Sequence, residues 1–212
     1  MYDGHIIFSN DLTAIKQKKK SLVLNKPIYA GMCILDLSKY WMYQFHYDVI
    51  KEQYGNRAKL LFTDTDSLCY HIRTEDFYKE MRTDEYDLSD YPEDSDFHST
   101  ANKKVLGKFK DECNGKAPAE FVGLRPKMYS LRIPEEKDKK TAKGVQRAYM
   151  KNKITHADYR RCLLSEETAD KQQYAKWCAI RSYKHQVKSI ELNKVGLCAY
   201  GTGSTGHSNP RY

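Results

Sequence analysis

Hydrophobic side chains recur at three- and four-residue steps between residues 31 and 54, which is the pattern of one helical face. The positions are Ile34, Leu35, Ser38, Trp41, Met42, Phe45 and Val49. Gly55 suits the C-terminal end of such a helix. We therefore predict a helix over 31–54, whose aromatic stripe is core and which packs beneath the next element. Residues 1–29 are polar and predict a short strand or turn region.

Two short apolar runs follow, over residues 58–63 and 67–72, with Asp64, Thr65 and Asp66 between them. Runs of this length around a polar break predict a tight β-hairpin with the three polar residues at its turn. Side chains two positions apart in an extended chain point to the same face. We therefore expect Asp64 and Asp66 to project together and Thr65 to point away from them.

The rest of the chain predicts an α+β fold. A short helix over 75–82 has Thr74 as its N-cap, and an acidic loop follows that keeps to solvent. Strands over 104–112, 119–123 and 127–133 extend the same antiparallel sheet. Residues 134–140 form a linker, and helices over 142–153, 156–165 and 168–180 make a small subdomain. This division gives an antiparallel sheet with packed helices over 1–135, a helical unit over 136–195 and a disordered tail over 196–212.

Charge is distributed unevenly along the 212 residues, whose net charge is +8. The segment 137–188 has 14 Lys or Arg against 5 Asp or Glu. Such a basic block is typical of proteins that bind a phosphate backbone, although a solvated helical face gives the same pattern. The six cysteines form no C-x-x-C pair, which argues against a zinc site and favours buried small hydrophobic side chains. Neither a long apolar run nor a leader is present, so we expect an intracellular protein without a membrane partner.

The two acidic residues of the hairpin carry the candidate chemistry. Carboxylates between apolar strands need a compensating partner, and Mg²⁺ is the commonest hard cation in such a place. An ordinary polar turn is one alternative, since Asp and Ser favour turns. A calcium loop is another, but Leu68 and Cys69 occupy positions where that loop needs an oxygen ligand and a glycine. A second motif follows about sixty residues later, where Lys127 and Tyr129 share one face of a predicted strand.

These motifs together resemble the C-terminal palm and thumb of a protein-primed family B DNA polymerase, as found in linear-plasmid, adenovirus-like and Polinton/Maverick-type elements. Residues 62–67 (F-T-D-T-D-S) are similar to the family's Y-x-D-T-D-S motif, and 127–129 (K-M-Y) match K-x-Y. Residues 106–112 resemble the palm strand that precedes K-x-Y. Residues 26–29 and 34–39 resemble the segment that leads into the hairpin.

The resemblance implies a DNA-directed DNA polymerase with Mg²⁺ as cofactor and with primer-template DNA, dNTP and a terminal-protein primer as partners. Asp66 would bind the catalytic metals, and Asp64 would support the site beside the primer terminus. Lys127 and Tyr129 would hold the primer end. The other residues predicted to bind DNA are Lys108, Arg125, Lys143 and Arg147. The palm would be 1–135 and the thumb 136–195, in a nuclear, organellar, viral or mobile-element setting.

The chain also departs from the family pattern. It has no D-x-x-S-L-Y-P-S-type motif with a further metal-binding Asp, no K-x-x-x-N-S-x-Y-G fingers motif and no D-x-E of a proofreading exonuclease. We therefore expect a fragment of a polymerase that is inactive in isolation. A catalytically dead DNA-binding remnant of a mobile element is the alternative. A structural protein whose acidic turn is incidental is a third possibility.

Overall fold

The structure is a computed structural model that describes residues 1–167, 169–183 and 185–199. Within these residues the chain is α+β, as predicted, with helices between four separate antiparallel sheets. The first sheet is an N-terminal hairpin of β1 (Tyr2–Ser9) and β2 (Leu12–Gln17).

The predicted long helix is present and has three parts. It begins as α1 (Ile28–Gln44), widens into a π-helix over Phe45–Lys51 and ends as α2 (Glu52–Tyr54). Gly55 adopts a positive φ of 51°, a conformation that glycine takes without strain, and a 3-10 turn over Gly55–Arg57 follows.

Only the C-terminal half of this helix packs into a core. Phe45, Val49, Ile50 and Tyr54 are buried there, against the partly buried side chains of the following hairpin. Ile34 and Leu35, which were predicted to belong to the core, are exposed instead. The N-terminal half of the helix has no packed layer over it in the described part of the chain.

The predicted hairpin is confirmed as β3 (Ala58–Asp64) and β4 (Ser67–Ile72). The helix after it is shorter than predicted and spans Phe77–Glu80 as α3. Its N-cap is Asp76 and not Thr74, because the Asp76 carboxylate accepts hydrogen bonds from the backbone N–H groups of Tyr78 and Lys79.

The predicted strand over 104–112 is wrong. Lys104 and Gly107 have positive φ angles of 60° and 85°, which break an extended run, and the segment forms turns. Its one pairing is an isolated bridge between Phe109 and Tyr86. The acidic loop, which begins with a 3-10 turn over Thr83–Glu85, also departs from expectation, because Asp87 within it is buried.

Three strands form the largest sheet, in the order β5 (Glu120–Arg125), β6 (Met128–Arg132) and β7 (Lys139–Ala142). The strands predicted over 119–123 and 127–133 are therefore confirmed. Their sheet does not continue the β3–β4 ladder, in contrast to the prediction of one shared sheet. The last residues of the predicted linker belong to β7, which pairs with β6.

Two predicted helices are confirmed as α4 (Arg147–Lys153) and α5 (His156–Leu164). A capping box between Thr155 and Asp158 begins α5. This helix packs on the three-stranded sheet, where Tyr159 and Cys162 are fully buried beside Val122 and Met128.

The third predicted helix, over 168–180, is wrong. Residues Gln172–Tyr183 form strand β8, which pairs along its whole length with β9 (Gln186–Cys198) in a long two-stranded ribbon. Accessible and less accessible side chains alternate over 174–180, which is the period of a strand. The predicted tail begins inside β9, and residues 200–212 lie outside the described residues.

The ends of the ribbon have different surroundings. At its base, Ala175 and Leu197 are buried, and Leu197 joins the core beneath α5. At its tip, His185 meets the Phe8 ring of the N-terminal hairpin edge-on, with 4.7 Å between the ring centroids.

The prediction that the cysteines are buried holds only in part. Cys162 and Cys198 are buried, whereas Cys33 and Cys178 are exposed. Among the helices of the described residues, none has both the length and the apolar character that crossing a membrane requires.

Candidate nucleic-acid interface

The acidic hairpin ends in a very tight turn. Asp64 pairs with Ser67 across the ladder, so Thr65 and Asp66 form the turn between the strands. Thr65 has a φ of 59°, and the Asp66 N–H donates a 2.6 Å hydrogen bond to the Asp64 carbonyl. A β-branched residue at positive φ is a conformational outlier. The polar residues lie at the hairpin turn, as predicted, but Asp66 is not in an extended segment with Asp64, so the shared face that was expected from extended geometry stays a prediction.

A second hairpin tip carries the K-x-Y residues. Arg125 pairs with Met128, so Pro126 and Lys127 form the turn between β5 and β6. Proline followed by a residue at positive φ, here 59° at Lys127, is typical of a type II turn. Lys127 is therefore a turn residue. The prediction that it shares a strand with Tyr129 is wrong.

The two tips meet through an ion pair. Lys127 Nζ lies 2.9 Å from Asp64 Oδ1, although the two residues are far apart in sequence. The side chains are 52% and 37% exposed, so water screens the pair and its contribution to stability is about 0.2–1 kcal/mol. The ion pair therefore matters more for placing the Asp64 carboxylate than for holding the fold together.

Aromatic rings join the hairpins behind this ion pair. Phe62 of β3 stacks on Tyr129 of β6 with 4.2 Å between ring centroids, and Phe121 lies 5.8 Å from Phe62. Burial raises the pKa of Tyr129, and the nearby Glu112 carboxylate acts in the same direction. The Tyr129 hydroxyl consequently remains protonated and able to donate a hydrogen bond.

These residues line a cleft of about 480 Å³. Its walls are apolar and aromatic, and Asp64, Arg125 and Lys127 lie at the hairpin tips. A Cβ at Gly123 would lie 2.7 Å from the far end of the Phe121 ring, so a larger residue here would require that ring to shift. A cleft of this volume is within the range of small-molecule and nucleotide sites.

The acidic pair does not fit a two-metal centre. The Asp66 carboxylate is exposed and makes no hydrogen bond or ion pair within the described residues, whereas the Asp64 carboxylate is engaged by Lys127. Among the described residues no group of three or more His, Cys, Asp or Glu side chains is placed to hold a metal ion. Mg²⁺ can be held by one or two carboxylates when water and phosphate oxygens complete its shell. The residues present therefore suit, at most, a metal that is largely held by other ligands.

The other residues predicted to bind DNA lie at different places. Arg125 lines the cleft, and the Lys143 N–H donates to the Lys127 carbonyl at 3.0 Å, which places Lys143 beside the tip. Arg147 is exposed at the beginning of α4. Lys108 is not part of this site: it lines a second pocket, where it pairs with Glu85 at 3.4 Å.

The β8–β9 ribbon is a basic surface. It was not predicted, because residues 168–180 were expected to form a helix. Lys176, Arg181, Lys188 and Lys194 are exposed along it, with Glu191 as the acidic residue in the same described strands. Arg181 lies directly opposite Lys188 in the ladder. Like charges in that position are destabilising, so the ribbon carries a repulsion that an anionic partner would relieve. The sequence over 174–180 has no alternation of polar and apolar residues that would have indicated this strand.

A buried polar network supports β6 from behind and was not predicted. Ser130 and His156 form a 2.8 Å hydrogen bond between Oγ and Nδ1, and His156 Nε2 lies 3.2 Å from Glu120 Oε2. Serine, histidine and a carboxylate in this order are also the components of a hydrolytic triad. Ser130 is completely buried, however, and no substrate can reach it. The network therefore links α5 to the strand that carries Tyr129.

Comparisons with protein-family models, with curated proteins and with solved structures gave no match to this chain. The family resemblance accordingly rests on the sequence motifs alone.

Proposed function

We propose that this chain is the part of a DNA-directed DNA polymerase that holds the primer-template. The observation that carries the proposal is the 2.9 Å contact between Lys127 and Asp64. It places the residues of two separate motifs at the rim of one cleft. This contact supports the proposal because it joins the two motifs on which the resemblance rests.

The cleft has the chemistry of a site for the end of a nucleic-acid strand. Arg125 and Lys127 supply positive charge for a phosphate, and Tyr129 offers a protonated hydroxyl. The aromatic wall suits the apolar faces of a sugar and base. In this proposal Lys127 and Tyr129 contact the primer end, and a dNTP would enter beside Asp66.

The basic ribbon would grip the duplex without reading its sequence. Two-stranded ribbons fit the width of the major groove, and exposed Lys and Arg side chains contact phosphates. The opposed Arg181 and Lys188 would each gain an anionic partner. In this view the thumb is a β-ribbon with two helices at its base.

A second candidate function is DNA binding without chemistry. It is favoured by the ion pair that engages Asp64 and by the missing third ligand among the described residues. Nucleotidyl transfer with two metals would need a further carboxylate beside Asp64 and Asp66. We therefore expect this chain alone to bind primer-template DNA and not to extend it, and Mg²⁺ and a terminal-protein primer remain proposals.

Fluorescence anisotropy with a labelled primer-template tests the binding shared by both candidates. We expect affinity to fall steeply with added salt, and the double variant Arg181→Ala/Lys188→Ala to lower the slope of log K against log salt by about 2. Lys19→Ala/Lys20→Ala removes the same charge elsewhere and should change binding much less. Affinity that is flat in salt, or equal losses in both double variants, would contradict the proposal.

A primer-extension assay with Mg²⁺ separates the two candidates. Binding without incorporation agrees with a DNA-holding part, whereas incorporation that Asp66→Asn abolishes would make this chain a polymerase in its own right. Absence of both binding and incorporation would overturn both candidates.

A further inference from the structure

A second pocket lies between the long helix and the loop over 82–109. Its volume is about 420 Å³. It is lined by Trp41, Gln44, Asp48, Glu52, Arg82, Glu85 and Lys108, among others. Neither candidate function described above makes use of it.

The aromatic wall of this pocket is Trp41. Its ring packs on Gly107, where a Cβ would lie 3.3 Å from the ring carbons, and the positive φ of 85° also favours glycine. The Trp41 side chain is nonetheless 47% exposed. It therefore combines a fixed position with an accessible surface.

The charged residues of the pocket leave one carboxylate unmatched. Arg82 pairs with Glu52 at 3.0 Å, and Lys108 pairs with Glu85 at 3.4 Å. The exposed Asp48 carboxylate makes no ion pair or hydrogen bond within the part of the chain that the structure describes. Three carboxylates thus face two cationic side chains, and the pocket has room for one more positive charge.

Gln44 adds a second unmatched acceptor. Its Oε1 atom is buried and accepts no hydrogen bond from the described residues. Because this oxygen has almost no accessible surface, a ligand in the pocket would reach it only after the Gln44 side chain rotates.

We propose that this pocket binds a guanidinium group. The accessible Trp41 ring and the unpaired Asp48 carboxylate attract the same type of ligand, a cation with several N–H donors. A guanidinium stacks on indole and forms paired hydrogen bonds with carboxylates, so it suits this set better than a compact ammonium. The group can belong to a small molecule or to an arginine side chain of another polypeptide.

Titration of the full chain with agmatine, followed by the indole N–H signals in ¹H–¹⁵N NMR spectra, tests the proposal. The chain has two tryptophans, so Trp177 serves as an internal control for Trp41. We expect a saturable shift of the Trp41 signal and little change at Trp177. Butylurea, which is uncharged and similar in shape, should not bind, and butylammonium should bind more weakly.

The matched variants are Asp48→Asn and Asp36→Asn. Asp36 lies on the same helix but pairs with Lys39 and is not among the residues that line the pocket. We expect Asp48→Asn to weaken agmatine binding about tenfold or more and Asp36→Asn to leave it unchanged. No saturable Trp41 shift, equal effects of both variants, or equal binding of butylurea would overturn the proposal.

A second titration compares agmatine with a blocked Gly-Arg-Gly peptide and distinguishes the two sources of the group. Binding of the peptide at least as tight as that of agmatine indicates an arginine side chain of a polypeptide. Exclusion of the peptide while agmatine binds indicates a small guanidinium compound. Failure of both ligands would contradict the guanidinium site and would leave the proposed DNA interface unaffected.

Discussion

The Phe62 and Tyr129 rings stack with 4.2 Å between their centroids, and they join two hairpins whose strands belong to separate sheets. This contact fixes the distance between the D-T-D-S turn and the K-x-Y turn. Side-chain packing, and not a shared strand ladder, therefore builds the candidate interface.

Removal of the Phe62 ring should weaken the packing between the two hairpins. Phe62→Ala deletes both the stack and part of the cleft wall, and we expect it to lower the free energy of unfolding by about 1–3 kcal/mol. Phe62→Tyr keeps the ring and should cost much less. Urea denaturation followed by circular dichroism measures both variants. Equal stability of Phe62→Ala and the parent chain would contradict a stabilising role for the stack.

Loss of the Lys127 side chain should make Asp64 available to divalent cations. A partly exposed ion pair contributes about 0.2–1 kcal/mol, so we expect Lys127→Met to tighten Mn²⁺ binding by up to about fivefold. Lys59→Met removes a lysine from the same hairpin and is the control. Electron paramagnetic resonance of unbound Mn²⁺ gives the affinities. If neither the parent chain nor Lys127→Met binds Mn²⁺ more tightly than Asp66→Ala does, the acidic turn has no role in metal binding.

The buried bond between Ser130 and His156 should matter for folding. Ser130→Ala leaves the buried Nδ1 atom of His156 without its partner, which costs about 1–3 kcal/mol. Ser182→Ala on the exposed ribbon should stay within about 0.5 kcal/mol of the parent chain. Thermal and urea unfolding of both variants provide the comparison, and similar values for the two serines would rule out the network as a structural support.

Asp87 should make the fold sensitive to acid. Hydrogen bonds from Ser89, with further help from the Lys104 N–H and from Lys110, lower the pKa of Asp87 from 3.8 to about 2. Since the folded pKa lies below the unfolded one, the ionised carboxylate stabilises the fold above pH 3.8, and this contribution is lost as the pH falls toward 2.

Urea unfolding at a series of pH values from 5 to 2 measures this effect. We expect Asp87→Asn to be less stable than the parent chain at pH 5 and to lose less stability on acidification. Asp94→Asn, at an exposed position in the same loop, should follow the parent curve closely. Parallel curves for Asp87→Asn and the parent chain would contradict the prediction.

Several local elements could be predicted because their signals lie within a few residues. The hairpin over 58–72 follows from two apolar runs around a polar break, and the strands before and after Pro126 follow in the same way. The helix over 28–54 follows from its three- and four-residue spacing. Two other predictions are wrong: residues 104–112 do not form a strand, because Lys104 and Gly107 have positive φ, and residues 172–183 do not form a helix, because they pair with the adjacent strand β9.

Short-range pattern and turn chemistry thus account for the α+β character of the chain, its acidic turn and its K-x-Y turn. The meeting of these turns depends on packing between hairpins about sixty residues apart, which no local pattern encodes. The same is true of the ion pair that engages Asp64 and of the pocket beside Trp41. Hydrogen-bonded ladders and helical turns are local, whereas the contacts that give charged side chains their partners form only when distant elements share a core.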